Sequence, residues 1–386
     1  MFLTGRFRGT SGYTDRAMTR GTKAIFLDVG GTLLELGDPE SAYAEILDQY
    51  GYPATREQIG AWIRKAQEET GPVVSSGSGL SFKVSASEEQ ARREDLIAVF
   101  LREAGVKKHF DSCRQGIWDS WVRTPVFRLF PETLPLLRAL KESGFLVGAV
   151  SNWEPRLQEL CENLGIAQYF DFMVVSEAQG YAKPGMRLFE LALERAATRP
   201  EEVIHVGNDP VEDIEPAESL GIRAVLLQRD GTAEFHHSPR IPSLNEVLPL
   251  ARALGWLRGR IVSGKGEAAA FTQLPWVRKQ VADGFHFEPY PGTLNLRLER
   301  TQDKIMWKEL RRHPGKTLEP ETGYCAARCY PVNVEGQISG VIVLPEVPSY
   351  PTDAVELLAP VNLRDALKLG DGSAITIALS QPQPEG

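Results

Sequence analysis

The sequence predicts an α/β domain with a parallel sheet and a helical cap, followed by a small β-barrel. Three observations predict it. From Lys23 to about Pro249, short apolar runs alternate with amphipathic helical stretches. A mostly helical insertion, about Gly37 to Phe130, separates the first apolar run from the second. From Gly259 onward the chain is strand-like, in GRIVSG, TLNLRL, CAARCYPVNV, GVIVLP and AITIAL.

Taken in order, residues 1–22 are basic but lack an apolar core, so they read as a disordered lead-in rather than a secretory signal, and Met18 offers an alternative start. In KAIFLDVGGTLLEL the run Ala24 to Leu27 has the character of a buried parallel strand that ends on one carboxylate, Asp28. The insertion, residues 37–130, is expected to sit over the strand ends as a cap. Within it LIAVFLREAGV sets Leu96, Ile97, Phe100 and Leu101 on one helical face, with Gly105 as the stop, and GPVVSSGSGLS (Gly71 to Ser81) reads as a flexible loop. FLVGAVS, FMVVS, VIHVG and AVLL are the remaining strands of a domain spanning residues 23–254. The boundary is expected near Leu254 to Arg258, and the barrel over residues 257–380. Between the barrel strands one helix is expected, at WVRKQVADGF, and the turn dipeptide Asp371-Gly372 separates two strands. Residues 381–386 form a disordered tail, and no internal repeat is evident.

Composition narrows the function classes. A chain of 386 residues with 42% hydrophobic and 24% charged residues has the make-up of a globular protein of two domains. A formal charge of −8 argues against a general nucleic-acid binder, and no apolar run is long enough to span a bilayer. Four cysteines do not make a disulfide framework; Cys325 and Cys329 lack nearby partners for zinc and read as reduced strand residues. A cytoplasmic enzyme acting on small molecules, with neither nucleic acid nor membrane as partner, is the expectation.

Four features fall in chain order at strand ends. They are Asp28, then Ser151-Asn152, then Lys183 in GYAKPGMRLFE, and then Asp209 and Asp213 in IHVGNDPVEDI. With this set, residues 23 to 250 resemble the haloacid dehalogenase-like hydrolases, whose Rossmann-like sheet carries a helical cap after the first motif. Each residue type suits the chemistry. A carboxylate such as Asp28 attacks phosphorus and splits one hard step into two. Mg²⁺ would be held by Asp28, a backbone carbonyl near Gly30 and one acid of NDPVED, either Asp209 or Asp213. Ser151 would hydrogen-bond the transferring phosphoryl group and Lys183 neutralise its charge.

Position 30 departs from that family. Its phosphatases carry there a second Asp, the general acid, and this chain has Gly30. Such acid–base help is worth ~10²–10⁴-fold. Two readings stay open, a phosphatase of weak turnover and a phosphate and Mg²⁺ site without efficient hydrolysis. Placing an Asp at position 30 is expected to raise turnover. His205 is expected to be packed, and His236-His237 to lie in an exposed loop.

The C-terminal stretch carries a second set: GRIVSGKGEAAAF, FEPYPGTLNLRL, GVIVLPEVPSYP and VELLAPVNLRDALKLGDGSAITI. From about Gly259 to Leu379 it resembles the archaeal-type CTP-dependent riboflavin kinases, a cradle-loop barrel. In PGTLN the Pro-Gly turn at Gly292 leaves the backbone open to a ligand, and Thr293 and Asn295 point to one face of an extended segment. By the resemblance these two are the Mg²⁺ ligands. SGKGE offers backbone N–H groups at Gly264, Lys265, Gly266 and Glu267, with a lysine suited to phosphates, although it is not a P-loop. Glu356 is the candidate general base for a ribityl hydroxyl, or else orients flavin or nucleotide. Tyr290, Phe287 and Tyr350 are candidates to pack a flavin ring, with core packing as the alternative. Two departures bear on activity: Ala268 replaces a glycine of the nucleotide loop, and PEVPSY stands where the family has a basic or Thr-containing segment.

The resemblances imply a kinase converting riboflavin and CTP to FMN and CDP, fused to a phosphatase-type domain acting on a phosphate ester. The alternatives are a phosphatase of a flavin precursor with a regulatory barrel, and a non-catalytic sensor of flavin or nucleotide.

Overall fold

A computed structural model of the chain describes residues 21–71, 82–229, 239–253, 255–264, 268–348 and 350–380. Most of the expected lead-in, residues 72–81 of the expected loop, His236 and His237, the tail, and the candidate residues Lys265, Gly266 and Glu267 lie outside the described residues. Lys23–Arg229 with Ser243–Asn245 form one unit, and the other described residues from Pro239 onward form a second.

The first unit is built on a parallel sheet. Its strands are β1 (Ala24–Leu27), β4 (Leu146–Ser151), β5 (Phe172–Val175), β6 (Val203–Gly207) and β7 (Arg223–Leu227), in the order β5-β4-β1-β6-β7. All four residues of β1 are buried, as a central parallel strand covered on both faces requires. Phe26, Val150 and Val174 pack there against Leu188 and Phe189 of the helix Arg187–Ala196. The short strands β2 (Leu34–Leu36) and β3 (Phe127–Leu129) pair antiparallel where the cap leaves the sheet and returns to it, a stem the sequence pattern did not show.

Four helices make the cap: Pro39–Gln49, Arg56–Thr70, Ala86–Glu103 and Phe110–Ser120. Local chemistry starts the first three. Asp38 accepts from the Ser41 N–H, Thr55 and Gln58 form a reciprocal capping box, and Ser85 accepts from the Glu88 N–H. Leu96, Ile97, Phe100 and Leu101 are buried together, as their spacing predicts.

The second unit holds β8 (Arg240–Ile241), β9 (Trp256–Val262), β10 (Leu294–Leu298), β11 (Lys316–Leu318), β12 (Ala327–Val334), β13 (Ile338–Pro345), β14 (Ala354–Leu358) and β15 (Ala374–Leu379). Six antiparallel strands close a barrel in the order β12-β13-β14-β10-β9-β15, with β15 returning to β12. The long β12 makes closure possible by sharing one edge: residues 327–329 pair with β11 and residues 332–334 with β15. Leu257, Leu296, Val332, Ile342, Val355 and Ile375 belong to one core cluster.

Several details differ from the expectations. The helix Val247–Arg252, read with the first domain, clusters with the barrel: the Leu250 side chain lies against Gly336, and its carbonyl accepts from Trp256 Nε1 at 3.2 Å. A short apolar helix after a strand continues the α/β alternation in pattern, whichever unit it packs on. The helix at WVRKQVADGF spans Pro275–Phe285, but a second one, Thr301–Leu310, was not expected. Its buried apolar face rests on Trp307 and Leu310, too few residues to mark a period. Cys329 lies buried in β12, whereas Cys325 precedes the strand and is exposed; both are free thiols. No described helix is long and apolar enough to cross a membrane.

Candidate functional site

In the first unit, parallel strands bring their C-terminal ends to one edge, with β1 between β4 and β6. Asp28 follows β1, and its backbone N–H donates to the Val206 carbonyl at 3.0 Å. Ser151 ends β4, and Gly207 ends β6. A Cβ on Gly207 would stand 2.2 Å from the Asp213 carboxyl carbon, so glycine there is what lets Asp213 swing inward.

The side chains converge on Lys183. Its Nζ donates to Asp28 Oδ1 at 2.7 Å and to Asp213 Oδ1 at 2.5 Å. Ser151 Oγ donates to the same Asp28 oxygen at 3.2 Å. Asn152 fixes the lysine backbone, accepting from its N–H at 2.8 Å and donating to its carbonyl at 3.0 Å. Asp213 also accepts from the Asp209 N–H at 3.0 Å. His205 is packed as expected, edge-on to Phe189, and its Nε2 lies 3.4 Å from Asp213.

Burial pushes the Asp28 carboxyl above the ordinary value, against the pull of Lys183 and with the Asp213 charge adding to the rise. Burial also acts to raise Asp213, but Lys183 and His205 outweigh it and hold that carboxyl well below the carboxylate range. Lys183 is buried too, yet the two carboxylates keep its ammonium charged. The three groups form one row, with the fixed negative charge on Asp213.

Two loop features bear on the expected residues. Asp209 turns its Oδ1 onto the N–H groups of Val211 and Glu212, at 2.8 and 2.9 Å, and so caps its own turn. The side chain from this loop that reaches the first motif is Asn208, whose Oδ1 accepts from Thr32 Oγ1 at 2.9 Å. Gly31 sits beneath it at φ +75°, where a Cβ would be 2.8 Å from the Asn208 amide. The second concerns Gly30, where a Cβ would stand 2.9 Å from Cζ3 of Trp153. The adjacency of Trp153 to Ser151-Asn152 was the available signal for this.

The Mg²⁺ set expected in the first unit needs two acids and a backbone carbonyl; among the described residues no third His, Cys, Asp or Glu side chain joins the acids. Asp28 and Asp213 come together, but an ammonium lies between them, and Asp209 is engaged elsewhere.

In the barrel, β10 lies antiparallel to β14 with Asn295 opposite Glu356. Leu294 and Leu296 turn into the core, so Thr293 and Asn295 share the other face. Thr293 Oγ1 donates to Glu356 Oε2 at 3.2 Å, and the Tyr350 hydroxyl donates to Oε1 at 3.2 Å. Gly264 lies against Asn295, with room for no Cβ, which would fall 2.2 Å from the amide nitrogen. Gly292 takes φ +109°, and its N–H donates to Thr272 Oγ1 at 2.8 Å, fixing the turn ahead of Thr293.

The structure thus gathers Gly264, Thr293, Asn295 and Glu356, and adds Tyr350 and Thr272, whose hydroxyl roles the sequence did not reveal. Burial, with the Glu356 charge adding to it, raises the Tyr350 phenol and keeps it a donor. Phe287 packs against the cluster of Trp276 and Val277, while Tyr290 is exposed. A hydroxyl, an amide and a carboxylate are hard oxygen donors, and this set fits Mg²⁺.

Comparison with known proteins follows the same division. A family model described as haloacid dehalogenase-like hydrolase matches residues 22–221. A second, named for CTP-dependent riboflavin kinase and described as domain of unknown function DUF120, matches residues 261–379. Riboflavin kinase of Methanosarcina mazei is 37% identical over 134 residues, covering 34% of this chain and 59% of that protein. The chain therefore spans less than two thirds of that relative's length. Haloacid dehalogenase-like hydrolase domain-containing protein 3 of Bos taurus is 26% identical over 247 residues, 60% of this chain and 93% of that protein. Glyceraldehyde 3-phosphate phosphatase of Methanothermobacter thermautotrophicus is 30% identical over 226 residues, 56% of this chain and 90% of that protein.

Proposed function

We propose, from the premise that the chain belongs to the haloacid dehalogenase-like hydrolases, that it joins a phosphate-ester site of that type to a barrel that phosphorylates riboflavin with CTP. The observation that carries the kinase reading is the clamp on Glu356. Thr293 and Tyr350 hold its two oxygens, opposite Asn295, within the residues matched by the kinase model. The relative named riboflavin kinase in Methanosarcina mazei supports the same reading.

Mg²⁺ held by Thr293 and Asn295 would neutralise phosphate charge. Gly264 opens the SGKGE stretch that the resemblance assigns to the triphosphate and lies against Asn295, while Gly292 makes the turn ahead of Thr293. Glu356 accepts the proton of the ribityl hydroxyl as that oxygen bonds to the γ-phosphorus of CTP. The bond from that phosphorus to the β-phosphate oxygen breaks, and CDP leaves.

In the first unit, Asp28 is the nucleophile toward a phosphate ester, and Lys183 and Ser151 hold the phosphoryl oxygens. With an indole over Gly30 and no acid at that position, the site favours binding over turnover.

The test is chromatography of riboflavin incubated with the protein, Mg²⁺ and CTP, with ATP as control. FMN formed with CTP is the expected outcome. Its absence with both nucleotides overturns the kinase reading.

A further inference from the structure

We propose that the cavity under the cap takes an uncharged aromatic body, the end of a substrate whose phosphate reaches Asp28. The proposal rests on the phosphate-ester reading of Asp28 and Lys183. Within the first unit, the cap and the rim of the sheet enclose a cavity of about 500 Å³. That is the size of pockets that bury most of a small organic molecule.

The chemistry of the wall selects the occupant. Tyr43, Ile63, Phe100 and Trp121 line it from the cap, and Phe127 and Trp153 from the rim. The Tyr43 and Phe100 rings already meet edge to face at 5.2 Å, an arrangement that a further aromatic ring can extend. Trp121 Nε1 donates to the Tyr43 hydroxyl at 2.5 Å, so these two polar tips are turned to each other. A polyol would lose its water there without gaining partners of equal number.

Charge excludes the phosphate from this end. Arg93 lines the cavity, but its guanidinium donates to both oxygens of Glu177, at 2.6 and 2.7 Å. Glu154, also on the wall, pairs with Arg156 at 2.8 Å. Two cations and two carboxylates cancel, whereas Lys183 lies beside Asp28. Trp153 joins the two ends, since the same indole lines the cavity and covers Gly30 in the loop after Asp28.

The experiment uses the full chain and 1-naphthol, measured by equilibrium dialysis. Saturable binding is expected, weakened at least tenfold by Ile97→Trp, which fills the cavity from its cap wall. Leu36→Trp, at an exposed residue of the wall, is the second variant should the first fail to fold, and the same loss is expected. In hydrolysis, 1-naphthyl phosphate is expected to show a KM at least tenfold below that of glycerol 3-phosphate. Absence of saturable 1-naphthol binding, or equal affinity in the folded variants, overturns the proposal. Because 1-naphthol carries no phosphate, its binding together with failure of the chain to bind or turn over any phosphate ester would overturn the phosphate-ester reading and leave the aromatic cavity standing.

Discussion

The indole of Trp153 stands where a side chain at position 30 would have to go, 2.9 Å from a Cβ built on Gly30. The ring is not free to leave at no cost, because it packs edge-on against Phe127 at 5.3 Å. The missing acid and the tryptophan are thus one feature. Glycine at position 30 and the indole over it occupy a single volume, and a change at either residue alone leaves a clash or a void.

The first prediction follows from that volume. Gly30→Asp alone is expected not to raise phosphatase turnover, contrary to the reading from sequence, and to destabilise the unit by about 1–3 kcal/mol through overpacking. The double variant Gly30→Asp/Trp153→Ala makes room for the acid. It is expected to hydrolyse 4-nitrophenyl phosphate or another test ester faster than either single variant, by up to the ~10²–10⁴-fold typical of a general acid. Steady-state rates and urea unfolding on the four proteins check both parts. A gain in Gly30→Asp alone would show that the indole moves aside without help.

Lys183 supports a second prediction. It is the shared partner of Asp28 and Asp213, and all three are buried. Lys183→Met leaves two carboxylates facing each other in the interior. A loss of about 3–5 kcal/mol in unfolding free energy is expected, the usual cost of removing one member of a buried charged set. Adding Asp213→Asn to that variant is expected to recover part of it, because the remaining carboxyl then has no like charge beside it. Equal stability of the two variants would mean that the row is solvated.

Much of this site was legible because strand ends are legible. Asp28 follows an apolar run, Ser151 ends one and Lys183 stands shortly before the helix Arg187–Ala196, so local pattern points all three toward one edge. Orientation was not legible. Asp209 and Asn208 are adjacent in sequence, and which one faces the first motif depends on a cap made by Asp209 to its own turn. Trp153 shows the same limit, since its relation to Gly30 crosses the gap between two strands that pair only in three dimensions. In the barrel, the alternation in TLNLRL told which face Thr293 and Asn295 share. It did not tell that Tyr350, from the loop before β14, would turn its hydroxyl to Glu356.

The third prediction uses pH. Burial raises the Asp28 carboxyl above its ordinary 3.8, so the folded state holds that proton more tightly than the unfolded chain does. Below the ordinary value both states are protonated and the group costs nothing. As pH rises through the folded value, ionisation in the interior penalises the folded state, and stability is lost. Asp28→Asn removes that penalty and retains an acceptor for Lys183. The stability gained over the parent is therefore expected to grow from about pH 4 to about pH 8. Urea midpoints at both values test it; a difference that shrinks as pH rises would reverse the assignment of the raised carboxyl.

The last prediction separates the base from its support in the barrel. Glu356 accepts from Thr293 on one oxygen and from Tyr350 on the other. Glu356→Gln keeps the shape and removes the acceptor of the ribityl proton, so FMN formation is expected to fall by ~10²–10⁴-fold. Tyr350→Phe removes one hydrogen bond to a charged group, about 1.5–3 kcal/mol of orientation, equivalent to roughly a tenfold to hundredfold loss. That loss is expected in kcat, with the KM for CTP nearly unchanged, because the hydroxyl holds the base and not the nucleotide. A change in KM alone would make Tyr350 a binding residue and leave Glu356 held by Thr293.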